Sequence, residues 1–281
     1  MSTAITADST CDISPALFER YGVAMIPLYI ALGDTAYRDG VDITPAELFS
    51  YVERTGELPK TSAPTVEDYA AVFRKLTGEG REVVHIAFSS EMSASCSNAS
   101  LAAEAVGNVR VVDSRSLSSG SGLLVVKAAE LAGQGLTAEE IAREVTRAVP
   151  NVEASFIIDT LEYLHKGGRC SSVAALGANL LHLKPCIEVQ DGKMLVGKKY
   201  RGTLKKCLGQ YVEDRLSGRA GIDTSRAFVT HTVQDPALVE HVMELIRQIV
   251  PFGELIETKA GGTISSHCGP GTLGVLFLRK A

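Results

Sequence analysis

Three times in the N-terminal half of this chain a short apolar run stops at a cluster of hydroxyl side chains, and a helix signal follows. Residues 4–7 run into Asp8-Ser9-Thr10, residues 82–88 into Ser89-Ser90-Glu91-Met92-Ser93-Ala94-Ser95, and residues 109–112 into Asp113-Ser114-Arg115-Ser116. Helix starts are written between and after them: Ser14-Pro15, Thr44-Pro45-Ala46-Glu47, Thr65 and Thr137-Ala138-Glu139-Glu140 each put a capping hydroxyl ahead of a helical pattern. Strand and helix in alternation demand a parallel sheet with helices on both faces.

Other segments fill in this half. Residues 23–32 read as one strand turned by Gly33-Asp34, residues 59–64 as a loop between two prolines, and residues 99–106 and 123–132 as helices. Beyond Pro150 the pattern changes. Strands are expected at 154–158, 227–231, 255–258 and 273–278, and helices at 161–164, 173–183, 204–216 and 236–250. Asp191-Gly192 between residues 186–189 and 193–196 signals a hairpin. The expectation is an α/β protein of two domains, residues 1–150 with a parallel sheet and residues 151–281 of α+β type.

Charge and motifs exclude several functions. A net charge of −5 argues against a nucleic-acid binder that works by phosphate neutralisation. The first residues lack a basic, then apolar, leader, and no run approaches the ~20 apolar residues of a membrane span. A cytoplasmic protein with at most transient membrane contact is expected. The six cysteines are scattered without a C-x-x-C pair, so reduced thiols and no metal site are expected. The chain has no P-loop and no dinucleotide fingerprint, and position 119 is Ser where a G-x-S-x-G elbow needs Gly.

The hydroxyl clusters lie where open parallel sheets bind ligands, at the carboxyl ends of strands facing helix N-termini. Any one of these residues is accounted for as a helix cap, but five serines in residues 89–97 exceed what one helix needs. Serine hydroxyls and backbone N–H groups make a neutral lip that suits a carboxylate or another small polar head, whereas a phosphate site is expected to bring Lys or Arg or a glycine-rich cradle. His267, in the glycine-dense stretch 261–271 that lets the backbone turn sharply, is a network anchor, a candidate base or a structural histidine. His85, mid-strand, reads as a core histidine, and the pairing of His182 with Cys186 as coincidence. Lys166-Gly167-Gly168-Arg169 is either a helix C-cap with basic residues at the dipole's negative end or an exposed basic knuckle for an acidic or phosphorylated partner.

Seven segments, in order, carry a resemblance: Ala7-Asp8-Ser9-Thr10-Cys11-Asp12; Thr61-Ser62-Ala63-Pro64-Thr65; Ser89 through Ser95; Val112-Asp113-Ser114; Leu161 through Arg169; Leu183-Lys184-Pro185; and Gly262 through Gly271 with its His-Cys-Gly-Pro-Gly. Together, over about residues 3–280, the chain resembles the DegV family. The resemblance implies an N-terminal domain like that of dihydroxyacetone kinases and mannose-type phosphotransferase subunits, and a fatty acid in an apolar tunnel between two domains. It further implies that Thr61 and Ser93 hold the carboxylate, with Ser62, Ala94 and Ser95 lining the same lip and His267 supporting them. Arg169, with Lys166, would dock a fatty-acid kinase that makes acyl phosphate for phospholipid synthesis. This chain would then be a carrier without cofactor, with catalysis on its partner. It departs from the family's usual Ser-Gly-Thr-Tyr: Ser93-Ala94-Ser95-Cys96 replaces a glycine and an aromatic, and Thr65 stands where Ser is common. The competing reading is an enzyme, either a hydrolase using Ser93 and His267 or a small-molecule kinase like the fold's relatives.

Overall fold

The computed structural model describes residues 2–170, 172 and 183–280. The first sheet is all parallel, in the order β2-β1-β6-β7: β1 Thr3–Asp8, β2 Ala24–Ile26, β6 Glu82–Ala87 and β7 Val109–Asp113. Helices α3 Val66–Gly78 and α4 Ser95–Val106 cover one face through Tyr69, Phe73, Ala99 and Ala102. Helices α1 Pro15–Tyr21, α5 Ser118–Gly133 and α6 Ala138–Ala148 cover the other. Their starts follow local chemistry. Thr44 ahead of α2 Pro45–Thr55, Thr65 ahead of α3 and Thr137 ahead of α6 all close reciprocal capping boxes, with Glu47, Asp68 and Glu140 respectively.

The second sheet is mixed, in the order β10-β9-β8-β13-β11-β12, with β8 Val152–Ile157, β9 Leu183–Gln190, β10 Lys193–Arg201, β11 Ile222–His231, β12 Glu254–Lys259 and β13 Leu273–Arg279. Helices α8 Leu204–Leu216 and α9 Pro236–Ile249 pack on its outer face around Tyr211, Val242 and Ile246. The β9–β10 hairpin turns at Asp191 and Gly192, both with positive φ, as an Asp-Gly hairpin turn requires.

Helix α5 joins the two sheets. Its first half is buried all round, and one core runs from Ile5, Val84 and Ile86 of the first sheet through Leu123–Val126 to Ala154, Phe228 and Leu276 of the second. Small residues permit the approach. A Cβ on Gly120 would lie 3.2 Å from the Ala154 Cβ, and one on Gly122 would lie 2.7 Å from the Cys11 carbonyl oxygen.

Three sequence expectations change, and a fourth falls mostly outside the described residues. Residues 23–32 are two strands. Pro27 has no N–H to continue the ladder, so β2 stays in the first sheet while β3 Tyr29–Leu32 joins an antiparallel sheet of order β4-β3-β5, with β4 Thr35–Arg38 and β5 Lys60–Ser62. The expected loop at 59–64 therefore contains β5, in which Thr61 pairs with Ile30. Residues 261–271 are not a simple turn, because Gly262–Cys268 forms a helix, α10. The helix expected over 173–183 lies, apart from Leu183, outside the described residues, as does His182; Leu183 opens β9.

Gly122→Ala is expected to destabilise the chain by about 1–3 kcal/mol, because the added carbon meets backbone on one side and Ile13 on the other. Gly133→Ala, in the same helix with open space around it, is expected to be neutral or to stabilise by about 0.4–1 kcal/mol. Urea unfolding of both variants checks the contrast.

Candidate functional site

A cavity of about 170 Å³ opens where the ends of the first sheet, the small antiparallel sheet and the hairpin of the second sheet converge. Its polar side is built from Thr61 and Ser62 of β5, from Ser93 and Ala94 just ahead of α4, and from His267 and Thr263 of α10. Its apolar side is Leu28, Phe88, Met92, Leu117, Met194, Ile264 and Cys268, all well buried. A gap of about 20 Å³ continues inward behind Leu117, Ile264 and Cys268, towards Phe156 and Leu276 between the sheets.

The position of α10 decides the polar geometry. Asp12 accepts from the Gly261 N–H at 2.9 Å and the Ser118 hydroxyl at 2.6 Å. Asp39 accepts from the Gly262 and Thr263 N–H groups at 2.8 and 3.2 Å and from the Ser9 hydroxyl at 3.0 Å. Two buried carboxyl groups thus hold the first N–H groups of a short helix whose far end carries His267. Burial raises the Asp12 carboxyl to about 8 against its hydrogen bonds from Ser118 and Gly261, with the Asp39 charge adding to the rise.

His267 Nε2 lies 2.7 Å from Thr61 Oγ1. Its Nδ1 has no partner among the described residues and faces Gly167, where a Cβ would collide with the ring. Burial, and secondarily the charge of Arg169, lowers its pKa to about 4, so the ring is neutral at pH 7. With the proton on Nε2, His267 donates to Thr61, and the Thr61 hydroxyl proton is free for a ligand oxygen; this tautomer is assigned from the network.

The other expected residues distribute unevenly. Ser93 lines the cavity, and its Oγ accepts from the Ser95 N–H at 3.2 Å and lies 2.9 Å from the Ser95 Oγ. Ser95 is fully buried and meets the lip only through Ser93. The remaining loop serines serve structure. Ser89 donates to the Gly192 carbonyl, Ser90 to Asp113, and Ser97 to the Ala94 carbonyl. Ser89, with Arg115 donating to the Asp191 carbonyl, seats the hairpin tip on the first sheet's loops and so sets Met194 against the cavity. His85 is a core residue, bonded to Thr6 at 2.9 Å beside Asp8.

In the basic knuckle the C-cap of α7 Glu162–Gly167 is Gly168, at φ 67°, whereas Gly167 makes room for His267. Lys166 is exposed and paired with Glu162 at 2.7 Å. Arg169 is exposed, lines the cavity mouth, and donates to the Gly167 carbonyl at 2.9 Å. Ser93 and His267 share the cavity, but the histidine bonds Thr61 and no carboxylate orients its Nδ1, so the hydrogen-bonded chain of a hydrolase is not formed among the described residues. The described residues hold no group of three or more metal-ligating side chains, and no helix long and apolar enough to cross a membrane. All six cysteines are free.

Sequence reasoning missed Thr263 and Asp39. The spacing of Thr263, one helical turn before His267, signals a shared face only once the segment is known to be helical. Asp39 is 223 residues from its partner Gly262, and nothing local marks it.

A family model described as "Uncharacterised protein, DegV family" matches residues 2–280. The chain belongs to the DegV family. It is 32% identical over 281 residues to a DegV domain-containing protein of Caldanaerobacter subterraneus subsp. tengcongensis, covering 99% of each chain. Among solved structures, this DegV-family chain is similar to a fatty-acid-binding DegV family protein of Thermus thermophilus, with TM-score 0.89, 33% identity and coverage of 99% of this chain and 100% of that one. It is also similar to a stearic-acid-binding protein of Eubacterium ventriosum, with TM-score 0.86, 28% identity and coverage of 99% and 98%. The α/β architecture, with its parallel, mixed and small antiparallel sheets, is thus the DegV fold.

The buried histidine of this DegV chain gives a pH dependence with a definite sign. Between pH 6.5 and about 4 the unfolded chain takes up a proton at His267 that the folded chain refuses, so stability falls as pH falls through that window. The loss approaches about 3 kcal/mol at about 1.4 kcal/mol per pH unit. Asp12, raised to about 8, acts oppositely, its contribution weakening as pH rises from 3.8. The difference between wild type and His267→Gln in urea unfolding at pH 6.5 and pH 4 isolates the histidine, and the wild type is expected to lose the more.

Proposed function

We propose that this chain binds a long-chain fatty acid with its carboxylate between Thr61 and Ser93, and presents that carboxylate to a partner kinase that forms the acyl phosphate. The observation that carries the reading is the Thr61–His267 hydrogen bond at the polar end of an otherwise apolar cavity. A neutral histidine donating to Thr61 turns the threonine proton outward, and Ser93 offers a second hydroxyl ahead of the α4 N-terminus. Ser62 and Ala94 complete the exposed lip. The fatty-acid ligands of the Thermus and Eubacterium proteins support the same ligand class here.

Affinity comes from the tail at about 0.8 kcal/mol per buried methylene, so the head needs orientation more than charge. At about 170 Å³ the cavity takes the head and first carbons, and a longer chain extends by parting Leu117, Ile264 and Cys268 into the gap behind them. Arg169, exposed at the mouth beside the ligand head, is suited to meet the transferred phosphoryl group or an acidic surface of the kinase.

Thr61→Ala and Ser93→Ala are each expected to weaken fatty-acid binding by about 10–150-fold, from about 1.5–3 kcal/mol per hydrogen bond to a charged group. Wild type should bind the free acid far better than its methyl ester, and the double variant should barely distinguish them. Equal discrimination in both proteins, measured by calorimetric titration, places the carboxylate elsewhere.

Arg169→Ala is expected to retain the lipid, read by mass spectrometry of extracts, while slowing acyl-phosphate formation with a fatty-acid kinase and flattening its salt dependence. Loss of the lipid itself would assign Arg169 to the pocket.

A further inference from the structure

The wall of the cavity that carries Met194 is attached differently from the others. Leu117 leads into α5, which is buried between the sheets, and Ile264 and Cys268 belong to α10, which Asp12 and Asp39 hold. Leu28 is tied on both sides, its N–H to the Ser9 hydroxyl at 3.1 Å and its carbonyl to the Asp39 N–H at 2.8 Å. Met194 instead sits on β10, which among the described residues pairs with β9 alone at the edge of the second sheet. β9 in turn pairs with β8 through Cys186, Ile187 and Glu188. Beyond Glu188 the β9–β10 hairpin therefore runs on as a two-stranded arm, and a two-stranded hairpin by itself is marginally stable in water. The register shifts between Val196 and Lys199, at the root of the arm, and irregularities of this kind bend a strand.

The arm is held down along its length. Met194, with Val189 and Val196, joins the apolar cluster of Phe88, Met92 and Leu117. Near the root, Ser172 accepts from the Val196 N–H at 3.0 Å and the Cys170 thiol donates to the Met194 carbonyl at 3.3 Å. The tip is fastened to loops of the first sheet. Ser89 donates to the Gly192 carbonyl at 2.8 Å, Arg115 donates to the Asp191 carbonyl, and Glu91 pairs with Lys193 at 3.3 Å and with Arg115 at 3.8 Å. Gly192 fits this seat because it has no side chain. Its φ is 81°, and a Cβ there would lie 2.8 Å from the Ser89 Oγ and 3.1 Å from the Glu91 Cγ.

We propose that the β9–β10 arm is a latched flap over the cavity, and that release of its tip from Ser89, Glu91 and Arg115 is the step that lets the ligand in and out. The proposal rests on a fatty acid occupying this cavity. A space of about 170 Å³ with buried apolar walls takes up or releases a long acyl chain only when a wall moves. Lifting Met194 moves one without disturbing α5 or α10. The tip contacts are polar and few, so they break without opening either core. None of the three latch residues lines the cavity. The latch therefore slows entry and exit alike, and leaves their ratio, the affinity, to the residues that touch the ligand.

Stopped-flow fluorescence tests this. Displacement of bound cis-parinaric acid by excess palmitic acid reads the exit rate, and mixing delipidated protein with cis-parinaric acid reads the entry rate. Ser89→Ala and Arg115→Ala should each speed both rates by about threefold or more, with Kd within about twofold of wild type, as expected for loss of one hydrogen bond that holds only the closed flap. Arg110→Ala, which breaks an exposed pair with Glu139 away from the hairpin, should change neither rate. Ser89 is fully buried, so if its variant does not fold, Arg115→Ala and Glu91→Gln, at the exposed Glu91, decide. Unchanged rates, an equal effect of Arg110→Ala, or faster exit with unchanged entry overturns the latch and leaves fatty-acid binding standing. Failure of the wild type to bind either acid overturns the carrier reading itself.

Discussion

Two buried aspartate side chains hold the site together. Asp12 and Asp39 come from the first loop of the parallel sheet and from just beyond the small antiparallel sheet, and both accept from the backbone at the start of α10. A seven-residue helix opening Gly-Thr, after Gly261, has little propensity of its own, and its first N–H groups need acceptors. Supplying those acceptors from elsewhere in the fold ties the C-terminal segment to the N-terminal sheet. It also sets the direction of α10, and so where His267 and Thr263 lie in the cavity.

The clamp depends in turn on α5. Ser118, at the start of that helix, donates to Asp12 from a backbone at φ 50°, a strained region for serine that its buried surroundings sustain. Ser119 bonds Thr230 of the second sheet, and Gly120 and Gly122 let the helix axis approach both layers. The same serine-glycine run that weakens intrinsic helix propensity makes α5 narrow enough to lie between two sheets. The cavity sits at the open edge of this junction, where loops of both sheets meet.

The site's electrostatics are muted. Its histidine is neutral at pH 7, its serines and threonines carry no charge, and among the described residues its one cation, Arg169, sits at the mouth in solvent. Binding in such a place is governed by apolar burial, with hydroxyls fixing the end of the ligand that remains reachable. Ala94 and Cys96, the departures from the family's serine loop, fall on opposite sides of this boundary. Ala94 lies at the exposed lip, while Cys96 packs half-buried on α4, its thiol pushed up to about 11 by burial.

What the sequence determined by itself is local. Capping boxes at Thr44, Thr65 and Thr137 and the Asp191-Gly192 turn are legible because each is satisfied within a few residues. The strand–helix alternation dictated the parallel sheet, and the ordered motifs carried the family resemblance. Thr61, Ser93 and His267 were identified through that resemblance, since neither spacing nor composition joins residues 206 positions apart. Tertiary structure alone decided the rest. It made a helix of the glycine-rich stretch at 261–271 and assigned Gly167 to the histidine rather than to the cap. It retired most of the serine cluster to structural bonds and brought Thr263 into the cavity. The physical reason is the same throughout. A backbone N–H or a hydroxyl takes whichever acceptor the fold brings within 3 Å, and for Asp39 and Gly262 that acceptor lies 223 residues away.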